Sequence, residues 1–74
     1  MTPTELEIAL SDIRWSPDTL ARALECDVSL VDAWLSGEAE IPMKTGVWIS
    51  LLAQHHVAFE SQKPKSLKGK KFVI

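Results

Sequence analysis

The chain lacks the residues and segments that mark secreted and membrane proteins. Cys26 is its only cysteine, so no internal disulfide can form. It does not begin with a basic stretch followed by an apolar one, and it has no run of 18 consecutive apolar residues. These absences favour a cytoplasmic protein in a reducing environment, with no membrane partner.

Basic residues are scarce over most of the chain. Residues 1–62 hold all ten acidic residues and only three of the eight basic ones, Arg14, Arg22 and Lys44, for a net charge of −7. The last twelve residues hold five lysines and no acid, a net charge of +5. Phosphate contacts supply much of the affinity of nucleic-acid-binding proteins, which therefore normally have a basic face on their folded part. Here the basic charge is confined to the C-terminal segment.

Residue patterns typical of catalysis are also missing. We find no pair of carboxylates with a pocket, no nucleophile beside a base and no glycine-rich loop for a phosphate, so an enzyme is not predicted. Cys26 has no local histidine or cationic neighbour to activate its thiol and is expected to be buried and inert, and His55 and His56 have no further ligands nearby. Neither a cofactor nor a metal ion is expected.

The chain does contain enough apolar residues for one small folded domain. Hydrophobic residues make up 46% and charged residues 24%, which is typical of globular rather than disordered protein. A chain of 74 residues buries only about 60% of its unfolded surface and is marginally stable alone. A second subunit would therefore add stability.

A helix is predicted from Pro3 onward. Thr2 and Glu5 form a capping box around Pro3, which is well suited to the first helical position. The apolar residues that follow recur at helical spacing and predict a core-facing side made of Leu6, Ala9, Leu10 and Ile13.

Two further helices with a tight turn between them come next. Ser16 can cap a helix over residues 17–24 or 17–25, and Asp27 can cap another over residues 28–35, which Gly37 ends. Glu25 stands in the turn, where a positive φ is expected. Two helices joined by so short a turn cross steeply and leave the outer side of one exposed. Their predicted inward residues are Leu20, Ala21, Leu24, Val31, Trp34 and Leu35.

The last third of the chain is less uniform. Pro42 is expected to open a fourth helix whose core residues are Met43, Val47, Trp48, Leu51 and Leu52. Residues 57–59 and 72–74 are short apolar runs on either side of a lysine-rich stretch. They could pair as strands, within the chain or between two copies, or the lysines could form an arm that reaches DNA phosphates, or the segment could be disordered.

The run L-A-R-A-L, followed by V-x-x-W-L-S-G and then I-P, resembles the repressor and Cro-like helix-turn-helix family of bacteria and their phages. The resemblance covers residues 1–56. It implies an all-α fold, a lambda-repressor-like domain of four to five helices, with residues 57–74 as a basic extension. It also implies a transcriptional regulator that binds double-stranded DNA as a homodimer, because one helix reads too few base pairs for specificity.

The resemblance further implies which side chains meet DNA. Those expected to face the bases of the major groove are Asp27, Val28, Ser29, Asp32 and Ala33. Those expected to contact phosphates are Ser16, Thr19 and Ser36, with Lys63, Lys65 and Lys68 of the extension. None of the base-facing residues is Arg, Lys, Asn or Gln, the usual readers of bases. Two apolar side chains could contact thymine methyl groups and an aspartate could accept from a cytosine amino group, so a weak A·T-leaning or shape-led readout is conceivable.

A second function remains open. An acidic and apolar outer side on the third helix suits a protein partner at least as well as it suits DNA. The same domain could therefore serve protein–protein contacts, as an adaptor or as an inhibitor of a regulator.

Overall fold

In a computed structural model of the chain, residues 1–72 are described, and within them four α-helices follow one another without any strand. They are α1 (Pro3–Ile13), α2 (Pro17–Leu24), α3 (Val28–Ser36) and α4 (Met43–Gln62). The predicted all-α class is confirmed at this level. Val73 and Ile74, part of the apolar run 72–74 for which a strand was one alternative, lie outside the described residues.

The helix starts follow from the predicted caps. Thr2 Oγ1 accepts a hydrogen bond from the Glu5 N–H at 3.1 Å, and Glu5 Oε1 accepts one from the Thr2 N–H at 2.9 Å. This completes the capping box of α1, because each side chain satisfies an N–H group that the first turn leaves unpaired. Ser16 and Asp27 cap α2 and α3 in the same sense.

Left-handed residues end the first three helices. Arg14, Glu25 and Gly37 have φ values of 59°, 58° and 83° and close α1, α2 and α3. The positive φ expected at Glu25 is confirmed, although a residue with a side chain pays on the order of 1 kcal/mol for this conformation. The connections between α1 and α2 and between α2 and α3 are therefore only three residues long.

All four helices contribute to one core. α1 packs against both α3 and α4, and α2 packs against α3. α1 and α4 run in the same direction: Met1 lies beside Gly46 near the start of α4, and Arg14 approaches Glu60 at 3.8 Å near its end. The buried apolar residues are Leu6, Ala9, Leu10, Ile13, Leu20, Ala21, Val31, Trp34, Ile49 and Ala53, with Leu24 and Leu35 half-buried against them.

The core side of α4 was predicted wrongly. Of the predicted core residues, Met43, Val47, Trp48 and Leu51 are exposed and Leu52 is half-buried. The buried side is made instead of Gly46, Ile49 and Ala53. Because α4 has apolar side chains on every side, the periodicity of its sequence alone does not indicate which side is buried. Gly46 lies on the buried side, and a Cβ there would lie only 3.1 Å from the Met1 side chain, so its absence lets α4 lie close to Met1.

Of the alternatives for residues 57–59, the strand is wrong. Those residues belong to α4, which continues past residue 56 to Gln62, and Phe72 is exposed and has no regular structure. Continuing an existing helix adds a hydrogen bond for each residue fixed, whereas a strand needs a partner before it gains any. Within residues 1–72 none of the helices has both the length and the apolar character required to cross a membrane.

Candidate nucleic-acid interface

α3 is held by its inner side. Val31 is fully buried and Trp34 is 3% exposed, and both pack in the core against α1 and α2. Leu35 is half-buried beside them. Because α2 and α1 both contact the same side of α3, the helix has one defined orientation and its opposite side is left uncovered in the monomer.

The predicted base-facing residues lie on or beside this uncovered side. Asp27, Ser29 and Asp32 are exposed, and Val28 and Ala33 are half-buried, with Val28 packed against the core. Residues at i and i+4 of a helix are neighbours, so positions 28, 29, 32 and 33 form one patch over the first two turns. We call this patch, with Asp27, the α3 patch.

Asp27 carries charge at the start of the patch. Its Oδ1 accepts a hydrogen bond from the Ser29 N–H at 2.9 Å. Hydrogen bonding to the Ser29 side chain and then to its N–H lowers the pKa of Asp27. The carboxylate therefore occupies the positive end of the α3 dipole, where a phosphate of a nucleic acid would otherwise be favoured.

The Asp27 cap makes the free energy of unfolding depend on pH. Because the pKa of Asp27 is lowered in the folded state, stability decreases as the solution is acidified. Ionised Asp27 stabilises the fold above its unfolded-state pKa of about 3.9, and this contribution is lost as pH falls through the lower folded-state value. Asn is an equally good cap without a charge to lose. We expect the variant Asp27→Asn to match the protein at neutral pH and to be the more stable of the two below about pH 4.

Urea unfolding from pH 7 to pH 2 measures this difference. Asp27→Ala is the matched control, since it lacks the cap at every pH and should differ from the protein less and less as the solution is acidified. A constant gap between the protein and Asp27→Asn over the whole range would contradict the assignment of Asp27 as an ionised cap.

The three hydroxyls predicted to contact phosphates have partners within the chain. Ser16 Oγ accepts from the Thr19 N–H at 3.2 Å and lies 3.0 Å from Thr19 Oγ1. Ser36 Oγ donates to the Ala33 carbonyl at 3.1 Å, at the end of α3. All three residues are exposed. Each hydroxyl therefore has a structural role in its own helix and keeps hydrogen-bonding capacity toward the outside, so phosphate contact stays a prediction.

The lysines lie beyond the end of α4. Lys63 Nζ donates a hydrogen bond to Glu60 Oε2 at 3.1 Å. Arg14 Nη2 forms an ion pair with Glu60 Oε1 at 3.8 Å. The hydrogen bond and charge of Lys63, followed by the charge of Arg14, lower the pKa of Glu60. Lys65 and Lys68 are exposed and form no ion pair within residues 1–72; a hydrogen bond from the Lys68 N–H to the Lys65 carbonyl, 3.1 Å long, makes a turn there.

The reactive and metal-ligating side chains among residues 1–72 do not form a catalytic or metal site. Cys26 is half-buried against the core, so the prediction that it is buried holds only in part. Among the described residues no three His, Cys, Asp or Glu side chains come together in a way that could hold a metal ion.

Sequence reasoning missed an exposed apolar surface on α4. Val47, Trp48 and Leu51 were assigned to the core because they recur at helical spacing. A signal for the surface was present, since a helix with apolar residues on all sides in so small a domain cannot bury every one of them.

Comparisons with protein-family models, with curated proteins and with solved structures found no match to this chain.

Proposed function

We propose that this chain is a sequence-specific, DNA-binding transcriptional regulator of the repressor and Cro-like helix-turn-helix type, acting in the cytoplasm as a homodimer. One observation carries the proposal: α3 is fixed in the core by Val31 and Trp34 while Asp27, Ser29 and Asp32 of the α3 patch stay exposed. A helix that reads a DNA groove needs both a rigid attachment and a free outer side. The three-residue connection between α2 and α3 has the length that a helix-turn-helix uses.

In this proposal the α3 patch enters the major groove. Ser29 donates to or accepts from a base edge, and Val28 and Ala33 pack on thymine methyl groups. Asp32 accepts from the amino group of cytosine. Without a bidentate Arg or Asn contact each base pair is discriminated weakly, so shape and deformability of the site carry much of the specificity.

Phosphate contacts come from elsewhere. Ser16 and Thr19 lie at the N-terminal end of α2, where their hydroxyls, the N–H of Asp18 and the helix dipole favour an anion. Ser36 follows at the end of α3. Lys63, Lys65 and Lys68 supply positive charge that the acidic body lacks, and this contribution is independent of base sequence.

Selection from random duplex DNA, followed by a salt titration, tests the proposal. We expect enrichment of a roughly palindromic site and a fall of log affinity with log salt concentration with a slope of several units. Replacing both Lys65 and Lys68 by glutamine should lower that slope by about 2, because each phosphate contact contributes about one unit. Retention of DNA without any enriched sequence would contradict a sequence-specific regulator.

A second candidate function is favoured by the chemistry of the same surface. Leu30 is 42% exposed next to the α3 patch, and Asp27 and Asp32 are acidic where a DNA reader is normally basic. Exposed apolar and acidic side chains suit a basic protein surface. Failure of the chain to retain any DNA, at low salt as well as high, would favour this protein-binding role.

A further inference from the structure

The outer side of α4 is apolar and is covered by nothing in the monomer. Residues 45–59 are fifteen consecutive residues without Asp, Glu, Lys or Arg. α1 covers the side that carries Gly46, Ile49 and Ala53. The opposite side leaves Val47 55%, Trp48 42% and Leu51 48% exposed. We call these three residues, together with exposed Phe59 about two to three turns further on, the α4 face.

We infer that the α4 face is the surface through which two copies of this chain pair, with their α4 helices antiparallel. The uncharged run, residues 45–59, is centred on Leu52. A two-fold axis near Leu52 therefore places the run of one copy against the same run of the other along its whole length. Antiparallel packing also opposes the dipoles of the two helices favourably. The inference deepens the proposed function and rests on it for the requirement that two copies act together.

Charge complementarity favours a second copy as the occupant. Residues 1–62 carry a net charge of −7, and residues 63–71 carry +5. Antiparallel pairing brings the end of each α4, from which the lysine segment continues, to the beginning of the other α4. There Glu38 and Glu40 precede the helix. Lys70 and Lys71 of each copy then face Glu38 and Glu40 of the other, which offsets the repulsion between two acidic bodies. Lys63, Lys65 and Lys68 stay available for phosphates.

A groove at the start of α4 provides room for that segment. Met1, Ile41, Met43, Val47 and Leu51 line it, and Glu5 and Glu40 stand beside them. Val47 and Leu51 belong to the α4 face, so the groove and the face form one continuous surface.

The lysine segment has the apolar residues to fill this groove. Leu67 and Phe72 are 70% and 92% exposed in the monomer. Apolar side chains with lysines between them match an apolar groove that has glutamates beside it.

The helix pair and the lysine segment are both needed to bury the surface area that a stable dimer requires. α4 is about 30 Å long and a helix is about 10 Å across, so two such sides in contact cover on the order of 300 Å² of each copy in projection. Stable specific interfaces bury about 600–1,000 Å² per partner. The helix pair alone falls short, and the lysine segment seated in the groove of the other copy supplies the remainder.

Sedimentation equilibrium of the full chain without DNA tests the inference. We expect a mass of twice 8.2 kDa at micromolar concentration. Leu51→Glu should raise the dissociation constant of the dimer at least about 30-fold, because it places a charge at the centre of the interface. Leu51→Met should leave it within about threefold, since the volume and apolar character are kept. Leu30→Glu, an exposed leucine of α3, is the matched control and should remain a dimer.

The outcomes separate cleanly. Two results would overturn the inference. One is a protein that is still monomeric at about 100 μM. The other is a Leu51→Glu variant that stays dimeric and has a native circular dichroism spectrum. A chain ending at Gln62 that dimerises as tightly as the full chain overturns the part assigned to the lysine segment. Since mass is measured without DNA, a dimer that selects no DNA sequence contradicts the proposed function and not this interface.

Discussion

A glutamate in place of Ser29 is expected to abolish binding to a selected DNA site while the helix content stays unchanged. Ser29 is exposed at the centre of the α3 patch, on the first turn of α3. In the proposed complex a carboxylate there faces base edges and phosphates together, so it removes the contact of the Ser29 hydroxyl and adds electrostatic repulsion. We expect a loss of at least about a hundredfold, measured by fluorescence anisotropy with a labelled duplex.

The fold should tolerate this change. An acidic residue in the first turn of a helix is stabilised by the helix dipole, and the N–H of residue 29 can still donate to Asp27. Thr4→Glu is the matched control, because Thr4 occupies the same second position of α1 and is likewise exposed. It adds the same charge at an equivalent place away from α3. If Ser29→Glu and Thr4→Glu lower the affinity equally, the effect is one of net charge and α3 is not the reader.

Ala33→Glu gives an independent check from the next turn of the same patch. Ala33 is half-buried, so a longer side chain there projects outward past the patch. We expect a loss of site binding of the same order as that for Ser29→Glu. Unchanged affinity in both variants would contradict the proposal outright.

The largest expected effect on stability is that of Leu20→Ala. Leu20 is fully buried in α2, and truncating a buried leucine costs about 2.7–5 kcal/mol, because a cavity remains where the side chain was. A domain of this length has a total unfolding free energy of about 4–11 kcal/mol, taking 0.05–0.15 kcal/mol per residue. The variant should therefore lose a large share of its stability in urea unfolding followed by circular dichroism.

Leu30→Ala is the control for this substitution. It makes the same chemical change in the neighbouring helix, but Leu30 is 42% exposed and is not part of the buried core. We expect a loss below about 1 kcal/mol. Equal losses in the two variants would mean that the described core does not hold the helices together.

Local signals in the sequence predicted the first three helices well. The caps at Thr2, Ser16 and Asp27 and the stop at Gly37 act over three or four residues, so they can be recognised without knowing the rest of the fold. The same holds for the positive φ at Glu25, which the short turn demands. Each of these features is decided by backbone hydrogen bonds close in sequence.

α4 was predicted less well because its structure depends on distant contacts. Residues 57–59 have strand-forming side chains, yet the helix that precedes them sets their conformation. The inward side of α4 packs against α1, and this packing includes the close approach of Met1 to Gly46, a contact between residues 45 positions apart. No window along the sequence contains both partners.

In the candidate site, too, features set by local contacts were predicted better than features that depend on the rest of the molecule or on a partner. The α3 patch was expected to face outward from the family resemblance, and the burial of Val31 and Trp34, which periodicity predicts, agrees with that expectation. The hydrogen bonds that occupy Ser16, Thr19 and Ser36 could be anticipated only as helix caps and ends. Which macromolecule meets the patch depends on surface chemistry, and an acidic patch is compatible with more than one partner.

The single long helix also turns a pattern of charge along the sequence into a separation of charge in space. The acidic body and the lysine segment lie on either side of the end of α4, in a molecule 52 Å long and 24 Å by 19 Å across. A single copy therefore has a permanent electric moment, and in the antiparallel pair inferred above the moments of the two copies oppose each other. Dimerisation should lower the moment per copy, and added salt should weaken the pair by screening the contacts between lysines and glutamates.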